Sequence, residues 1–150
     1  MKVIQSSIRD IEQGENVTVV MPVNMYECKL GDHIFVGPFV EIQKGSVIGN
    51  RTKVQSHTFI CENVTIGNDC FKSHGVTFAN DLFKSGAPDT SAESWINIVL
   101  GNEVTVGSGA TILTTEICSG AVIGAGSVVT KPVLVKGVYA GNPARLLRKL

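Results

Sequence analysis

Aliphatic residues recur in this chain at every sixth position. Leu30, Val36, Ile42, Ile48, Val54, Ile60 and Ile66 keep the spacing, Lys72 fills the next slot and Phe78 follows. The same period resumes at Leu100, Val106 and Ile112, then at Ile117, Ile123 and Val129. Gly often comes next, as at Gly31, Gly37, Gly49, Gly67, Gly101, Gly107 and Gly124. A small or β-branched residue sits four places on, among them Val40, Ser46, Thr52, Thr58, Val64, Cys70, Val76, Val104, Ala110, Ala121 and Ser127. A helix repeats its apolar face every 3.6 residues and a plain strand every 2. Six suits a short strand and a tight corner, with the aliphatic side chain inward and Gly easing the turn. Three such units close a triangular coil of about 18 residues, and coils stack at the strand spacing of about 4.8 Å.

Composition agrees. The 150 residues include 20 Val, 13 Ile and 11 Thr against 8 Leu and 8 Ala, a balance that favours pleated surfaces over helices. Together with 16 Gly it excludes a helical bundle, a coiled coil and a disordered chain. The length suits a single domain, 1–150. Thirteen basic and thirteen acidic residues cancel, which argues against nucleic acid as a partner. The sequence contains no apolar run of membrane-spanning length, so no membrane insertion is expected. Cys28, Cys61, Cys70 and Cys118 form no C-x-x-C pair and predict buried filler in a reducing, cytoplasmic protein.

Interruptions mark where the coil departs from its rule. Val23 to Leu30 is one residue too long and Ile112 to Ile117 one too short, which predicts adjusted corners. From 80 to 97 the period vanishes in a stretch holding Ser85, Gly86, Pro88, Asp89 and Ser91, which predicts an excursion loop. After Asn142, an N-cap residue followed by Pro143 and by Leu146, Leu147 and Leu150 predicts a short C-terminal helix over about 143–150. Coils are expected from about 17 to 138.

The run from Ile117 to Lys131 (ICSGAVIGAGSVVTK), followed by Gly141-Asn-Pro-Ala-Arg145, resembles the C-terminal signature of the hexapeptide-repeat acyltransferases. The resemblance implies an all-β fold, a left-handed parallel β-helix, and a homotrimer with acetyl-CoA lying between subunits. It further implies that Gly107, Ser108, Ala125 and Gly126 contact the pantetheine arm, and that Lys131 and Arg145 lie near the nucleotide end. After Lys131 the sequence departs from the family, reading Pro132-Val-Leu-Val-Lys136 in place of an Asp and a Pro-rich turn.

The stretch Ser73-His-Gly-Val-Thr-Phe-Ala-Asn-Asp81 is similar to the branch of that family acting on nucleotide-linked amino sugars. By that likeness Asn80 and His74 are the candidate catalytic residues. Counting three units to a coil puts Ser56 beside His74, His57 between Phe39 and Gly75, Glu62 beside Asn80, and Asn63 beside Asp81. Asp81, Glu62, His57 and Asn63 are therefore the candidate substrate contacts. A neutral amine brings its own lone pair to a thioester, so Asn80 would chiefly orient it, while His74 takes the proton. A sugar hydroxyl as acceptor would make the histidine base obligatory, and O-acetylation is the alternative reading. A third is a non-enzymatic β-helical scaffold. The three histidines, His33, His57 and His74, lie far apart in sequence and lack the close H-x-x-x-x-H pair of a γ-carbonic-anhydrase zinc site, so no metal is expected.

Overall fold

Each six-residue unit forms a strand of two or three residues and a corner, and the strands stack into three flat faces of 7, 6 and 8 strands. This computed structural model describes residues 1–150 apart from the side chain of Ala92. The first face runs through Ile8–Arg9, Asn24–Tyr26, Glu41–Ile42, Phe59–Ile60, Thr77–Phe78, Thr111–Ile112 and Val128–Val129. The second is built from Glu12–Gln13, Lys29–Leu30, Val47–Ile48, Val64–Ile66, Ile98–Leu100 and Glu116–Ile117. The third takes Thr18–Val19, Phe35–Val36, Lys53–Val54, Phe71–Lys72, Thr105–Val106 and Val122–Ile123, and ends in a hairpin. The chain is an all-β, left-handed parallel β-helix.

Register follows the repeat. Ile42 pairs with Ile60, Ile48 with Ile66 and Val54 with Lys72, each the equivalent residue one coil on. Across the excursion Val64 pairs with Ile98 and Ile66 with Leu100, so the loop is inserted between two coils without shifting a strand. The aliphatic residue of each strand points inward: Ile42, Ile60, Phe78 and Ile112 are fully buried, as are Ile48, Ile66, Val54 and Val106. Each such side chain contributes about 1.5–3 kcal/mol by leaving water. The two irregular spacings are adjusted corners: one follows the three-residue strand Asn24–Tyr26, and the other is a shortened corner at 113–115 where the buried Thr114 Oγ1 lacks a partner.

Between the second and third faces lies the most regular corner, here called the asparagine corner. The side chains of Asp32, Asn50, Asn68 and Asn102 each accept a hydrogen bond, 2.8–2.9 Å long, from the backbone N–H of residue 15, 32, 50 or 68 in the coil before. Ser119 continues the ladder by accepting from Asn102 N–H at 3.0 Å. Gly is required beside it for a packing reason. A Cβ on Gly67 would sit 2.6 Å from both Gly101 O and Asn102 Oδ1.

Lys72 occupies an aliphatic slot, and the wall there is neither distorted nor opened. Its strand pairs regularly on both sides, and its side chain turns inward, fully buried, with Nζ donating to Val104 O at 2.9 Å. Burial pulls its ammonium down to about 8.

Two expectations require correction. Coils begin at Ile8, not near residue 17, because Ile8–Arg9 and Glu12–Gln13 already pair with the next coil. No C-terminal helix forms: residues Ala144–Lys149 are a strand, antiparallel to Gly137–Gly141. An isolated eight-residue helix is marginal in water. The strand Gly137–Gly141 pairs on one side with Val122–Ile123 and presents an unpaired edge on the other, and Gly141 at φ 102° reverses the chain onto it. The hairpin thereby finishes the third face, satisfying backbone groups that a helix would have left open.

Candidate functional site

Corners between the third and first faces carry His74, and this histidine corner differs from the asparagine corner. Its turns stack at 37–40, 55–58, 73–76, 107–110 and 124–127. The third residue of each turn is left-handed: Phe39, His57, Gly75, Gly109 and Gly126, with φ between 61° and 68°. Successive turns are joined through backbone, Gly75 N–H donating to Ser56 O, Gly109 N–H to His74 O and Gly126 N–H to Ser108 O, at 2.8–2.9 Å. His57, His74, Gly107, Ser108, Ala125 and Gly126, six of the predicted residues, therefore lie along one edge.

That edge has two halves. Phe39 and His57 stack with ring centroids 4.9 Å apart. Beyond them the rings stop, and nothing lies within 4 Å of where a Cβ would sit on Gly75, Gly109 or Gly126. The result is a strip of open backbone beginning beside His74. His74 Nδ1 shares a hydrogen bond of 2.8 Å with Ser56 Oγ, which leaves Nε2 of this exposed ring to meet a ligand. Ser73 and Ser108 hydroxyls are 2.7 Å apart in the next turn. Coil arithmetic finds Ser56; it misses Ser108, because the excursion separates the pair by 35 residues.

Asn80, Glu62, Asn63 and Asp81 belong to a different corner, between the first and second faces. Asn80 Nδ2 donates to Glu62 O at 3.3 Å, the contact that the coil count implies. Asn63 instead packs back onto Gly45. Asp81 is committed to the loop, its two oxygens accepting from Phe83 N–H and Asp89 N–H at 2.8 Å each. Trp95 Nε1 donates to Asp89 O at 3.1 Å and Ile96 N–H to Asn80 O at 2.9 Å, so the excursion is tied at its neck and across its middle. A whole strand, Thr77–Phe78, separates His74 from Asn80 within one copy.

Lys131 and Arg145 come together at the C-terminal end. They line an open cavity of about 240 Å³ with Val129, Pro132, Val133, Tyr139, Ala144 and Leu146, which combines apolar and polar surface with two cationic side chains. Buried thiols are not nucleophiles here, since burial pushes Cys61 up to about 12 and Cys28 up to about 11. Among the described residues no three His, Cys, Asp or Glu side chains converge as a metal site. Nor, among them, is any helix long and apolar enough to cross a membrane.

No protein-family model matches the chain. Two curated relatives match part of it. The bifunctional protein GlmU of Synechococcus sp. (strain RCC307) is 43% identical over 49 residues, 33% of this chain and 11% of that protein. Chloramphenicol acetyltransferase of Klebsiella aerogenes is 44% identical over 54 residues, 35% of this chain and 26% of that protein. The matched segment thus spans about a tenth and about a quarter of these relatives' lengths. Solved structures match nearly all of the chain. The polySia-specific acetyltransferase NeuO superposes with a TM-score of 0.56 at 25% identity, covering 94% of this chain and 76% of that one. AntD, an N-acyltransferase from Bacillus cereus solved with dTDP-4-amino-4,6-dideoxyglucose and coenzyme A, gives 0.65 at 17% identity over 92% of this chain and 82% of its own. A maltose O-acetyltransferase from Clostridium difficile gives 0.59 at 20%, over 96% and 69%. The chain has the fold of the hexapeptide-repeat acetyltransferases.

Proposed function

We propose that the protein is an acetyl-CoA-dependent N-acetyltransferase acting on a nucleotide-linked amino sugar, in the cytoplasm, for making a surface polysaccharide. The observation that carries this reading is the open backbone strip at Gly75, Gly109 and Gly126 beginning beside His74. A pantetheine arm laid along Gly107, Ser108, Ala125 and Gly126 would approach the backbone closely where Gly109 and Gly126 carry no side chain, with its thioester at His74. Lys131 and Arg145 at the cavity of the C-terminal end suit the donor's phosphates. AntD, which shares this fold, holds an amino sugar on dTDP together with coenzyme A.

In the reaction the amine nitrogen bonds to the thioester carbonyl carbon, the carbon–sulfur bond breaks, and the amine's proton passes through His74 towards the departing thiolate. Asn80 orients the amine, with Glu62, Asn63 and His57 around the acceptor and Asp81 acting through the loop it holds. His74 and Asn80 serve one substrate only if the histidine corner of one copy lies against the loop corner of another, and a homotrimer closes that arrangement.

The hydrogen bond between Ser56 and His74, with Nε2 left free as a base, favours O-acetylation as a second reading. Thiol release from acetyl-CoA, with a panel of nucleotide-linked amino sugars, separates them. For an amine acceptor, Asn80→Ala lowers turnover more than His74→Ala does. For a hydroxyl acceptor the order reverses, and His74→Ala costs about 10²–10⁴-fold. Absence of any acetyl-CoA-dependent rise in melting temperature returns the protein to a scaffold role.

A further inference from the structure

A second cavity opens on the histidine corner, at the opposite end from the glycine strip. It measures about 220 Å³ and is lined by Ser6, Pro22, Val23, Asn24, Phe39, Val40 and Glu41. Phe39 is 57% exposed at a left-handed φ of 61°, a conformation that is unfavourable for a bulky residue. Its ring is stacked on His57, which lies outside the lining and braces this one aromatic platform of the cavity wall. Phe39 and Gly75 hold the same turn position two coils apart, so the platform stands about 10 Å along the axis from the turn of His74.

The polar side chains at this cavity have definite unused capacity. Glu41 Oε1 accepts from Gln43 Nε2 at 2.6 Å, leaving Oε2 as a free acceptor. Asn24 Oδ1 accepts from Arg9 Nη1 at 3.3 Å, leaving the two N–H donors of its amide. Ser6 Oγ donates to Val23 O at 3.0 Å and can still accept. Arg9 is itself occupied, by Ser7, by Asn24 and by the face of Tyr26, 5.0 Å from that ring's centroid. What remains is one apolar face and an edge that offers both acceptors and donors. A phosphate brings no donors at neutral pH and would meet the Glu41 carboxylate, so it does not fit.

We propose that this cavity is the subsite for the part of the acceptor remote from the acylated group, and that it takes an uncharged ring. The ring has one apolar face for Phe39 and an edge that both donates and accepts, as a pyrimidine imide or a pyranose does. The assignment rests on the acetyltransferase reading above, but its test stands apart from turnover. Thymidine and maltose serve as the probes, titrated by calorimetry into the wild-type protein, Phe39→Gly and Glu41→Gln. Phe39→Gly installs the residue that the same turn position carries at Gly75, Gly109 and Gly126, so the fold tolerates it. Base–aromatic stacking contributes about 1–3 kcal/mol, so loss of the ring weakens binding roughly 5- to 150-fold. Glu41→Gln is expected to weaken it severalfold, while acetyl-CoA affinity stays unchanged in both variants. Binding of thymidine identifies a nucleotide base, and binding of maltose a sugar ring. The proposal is overturned if neither probe binds, or if either binds both variants as tightly as the wild type. If a probe binds as expected while the amino-sugar panel stays silent, the subsite stands and only the amino-sugar reading is lost.

Discussion

The asparagine corner and the histidine corner stack the same six-residue unit at the same spacing, yet their side chains are put to opposite use. At the former, Asp32, Asn50, Asn68 and Asn102 turn back onto the preceding coil, and their oxygens are consumed by backbone N–H groups. At the latter, the side chains pair with one another, Ser56 with His74 and Ser73 with Ser108, and three glycines leave the backbone uncovered. Glycine itself has two causes in one molecule. Gly67 has no room for a Cβ, whereas Gly109 has the room and needs the left-handed turn. A ladder whose side chains are all spent on backbone leaves nothing for a ligand; an edge bare of side chains, with the His74 ring exposed beside it, leaves room for one.

The largest effect should come from forcing a methyl into each kind of glycine. Gly67→Ala places a Cβ 2.6 Å from the backbone oxygen of Gly101. It is expected to cost about 3 kcal/mol, a fall of about 6–12 °C in melting temperature. Gly109→Ala meets no atom and bears only the conformational cost of about 1–2 kcal/mol, but it weakens acetyl-CoA binding, which Gly67→Ala does not. Differential scanning calorimetry and a donor titration on both variants check it. Equal losses of stability would dissolve the distinction between the corners.

Lys72 sharpens the comparison from inside the wall, one residue before the histidine turn begins. An ordinary lysine titrates at 10.5, whereas this one, wholly buried, is down at about 8. Below about 8 both folded and unfolded chains carry the proton and the folded state bears the whole desolvation cost. Between about 8 and 10.5 the unfolded chain holds a proton that the folded one lacks, so this residue's contribution to stability rises with pH, by about 3 kcal/mol in all, against the opposite trend that the raised thiols of Cys28 and Cys61 set in above their ordinary 9. Lys72→Met abolishes this rise and stabilises the protein at neutral pH by about 2 kcal/mol. Val104 O is not orphaned by the change, since Phe71 N–H also donates to it at 3.0 Å. Urea titrations at pH 7 and pH 10 measure both effects.

How much of this was legible in the sequence follows from what depends on local spacing. Contacts between regular coils obey the three-unit count: Ser56 meets His74, and Asn80 meets Glu62. Contacts across the excursion do not, and the count never brings Ser108 to Ser73. The pattern of Leu146, Leu147 and Leu150 describes an amphipathic helix only if the segment stands alone; the free edge of Gly137–Gly141, a tertiary feature, made it a strand. Lys72 broke the aliphatic rule without breaking the wall, because a backbone carbonyl lay within reach of its long side chain. That Asn80 and His74 occupy different corners is a matter of phase within the coil, one unit and one strand apart.

The smallest expected effect lies at the turn position where the two corners diverge most plainly. Phe39 and His57 hold it on one corner, and Arg51 and Asp69 on the other, all four at left-handed φ. The rings stack, whereas Arg51 Nε and Nη2 donate to Asp69 Oδ1 and Oδ2 at 2.7 Å each. That hydrogen bonding holds the Asp69 carboxyl below its ordinary 3.8. A depressed carboxyl stabilises the fold above the unfolded value, and the contribution is lost as pH falls through the folded value. Both side chains are solvated and long-range screening is strong, so Arg51→Ala should barely move the melting temperature at neutral pH. The Asp69 carboxyl resonance, followed by NMR from pH 6 to pH 2, should titrate higher in Arg51→Ala than in the wild type. A substantial thermal loss in this variant would mean that the coils are held by their corner ion pairs, and that the closed ladder of Asn50, Asn68 and Asn102 contributes less than its geometry implies.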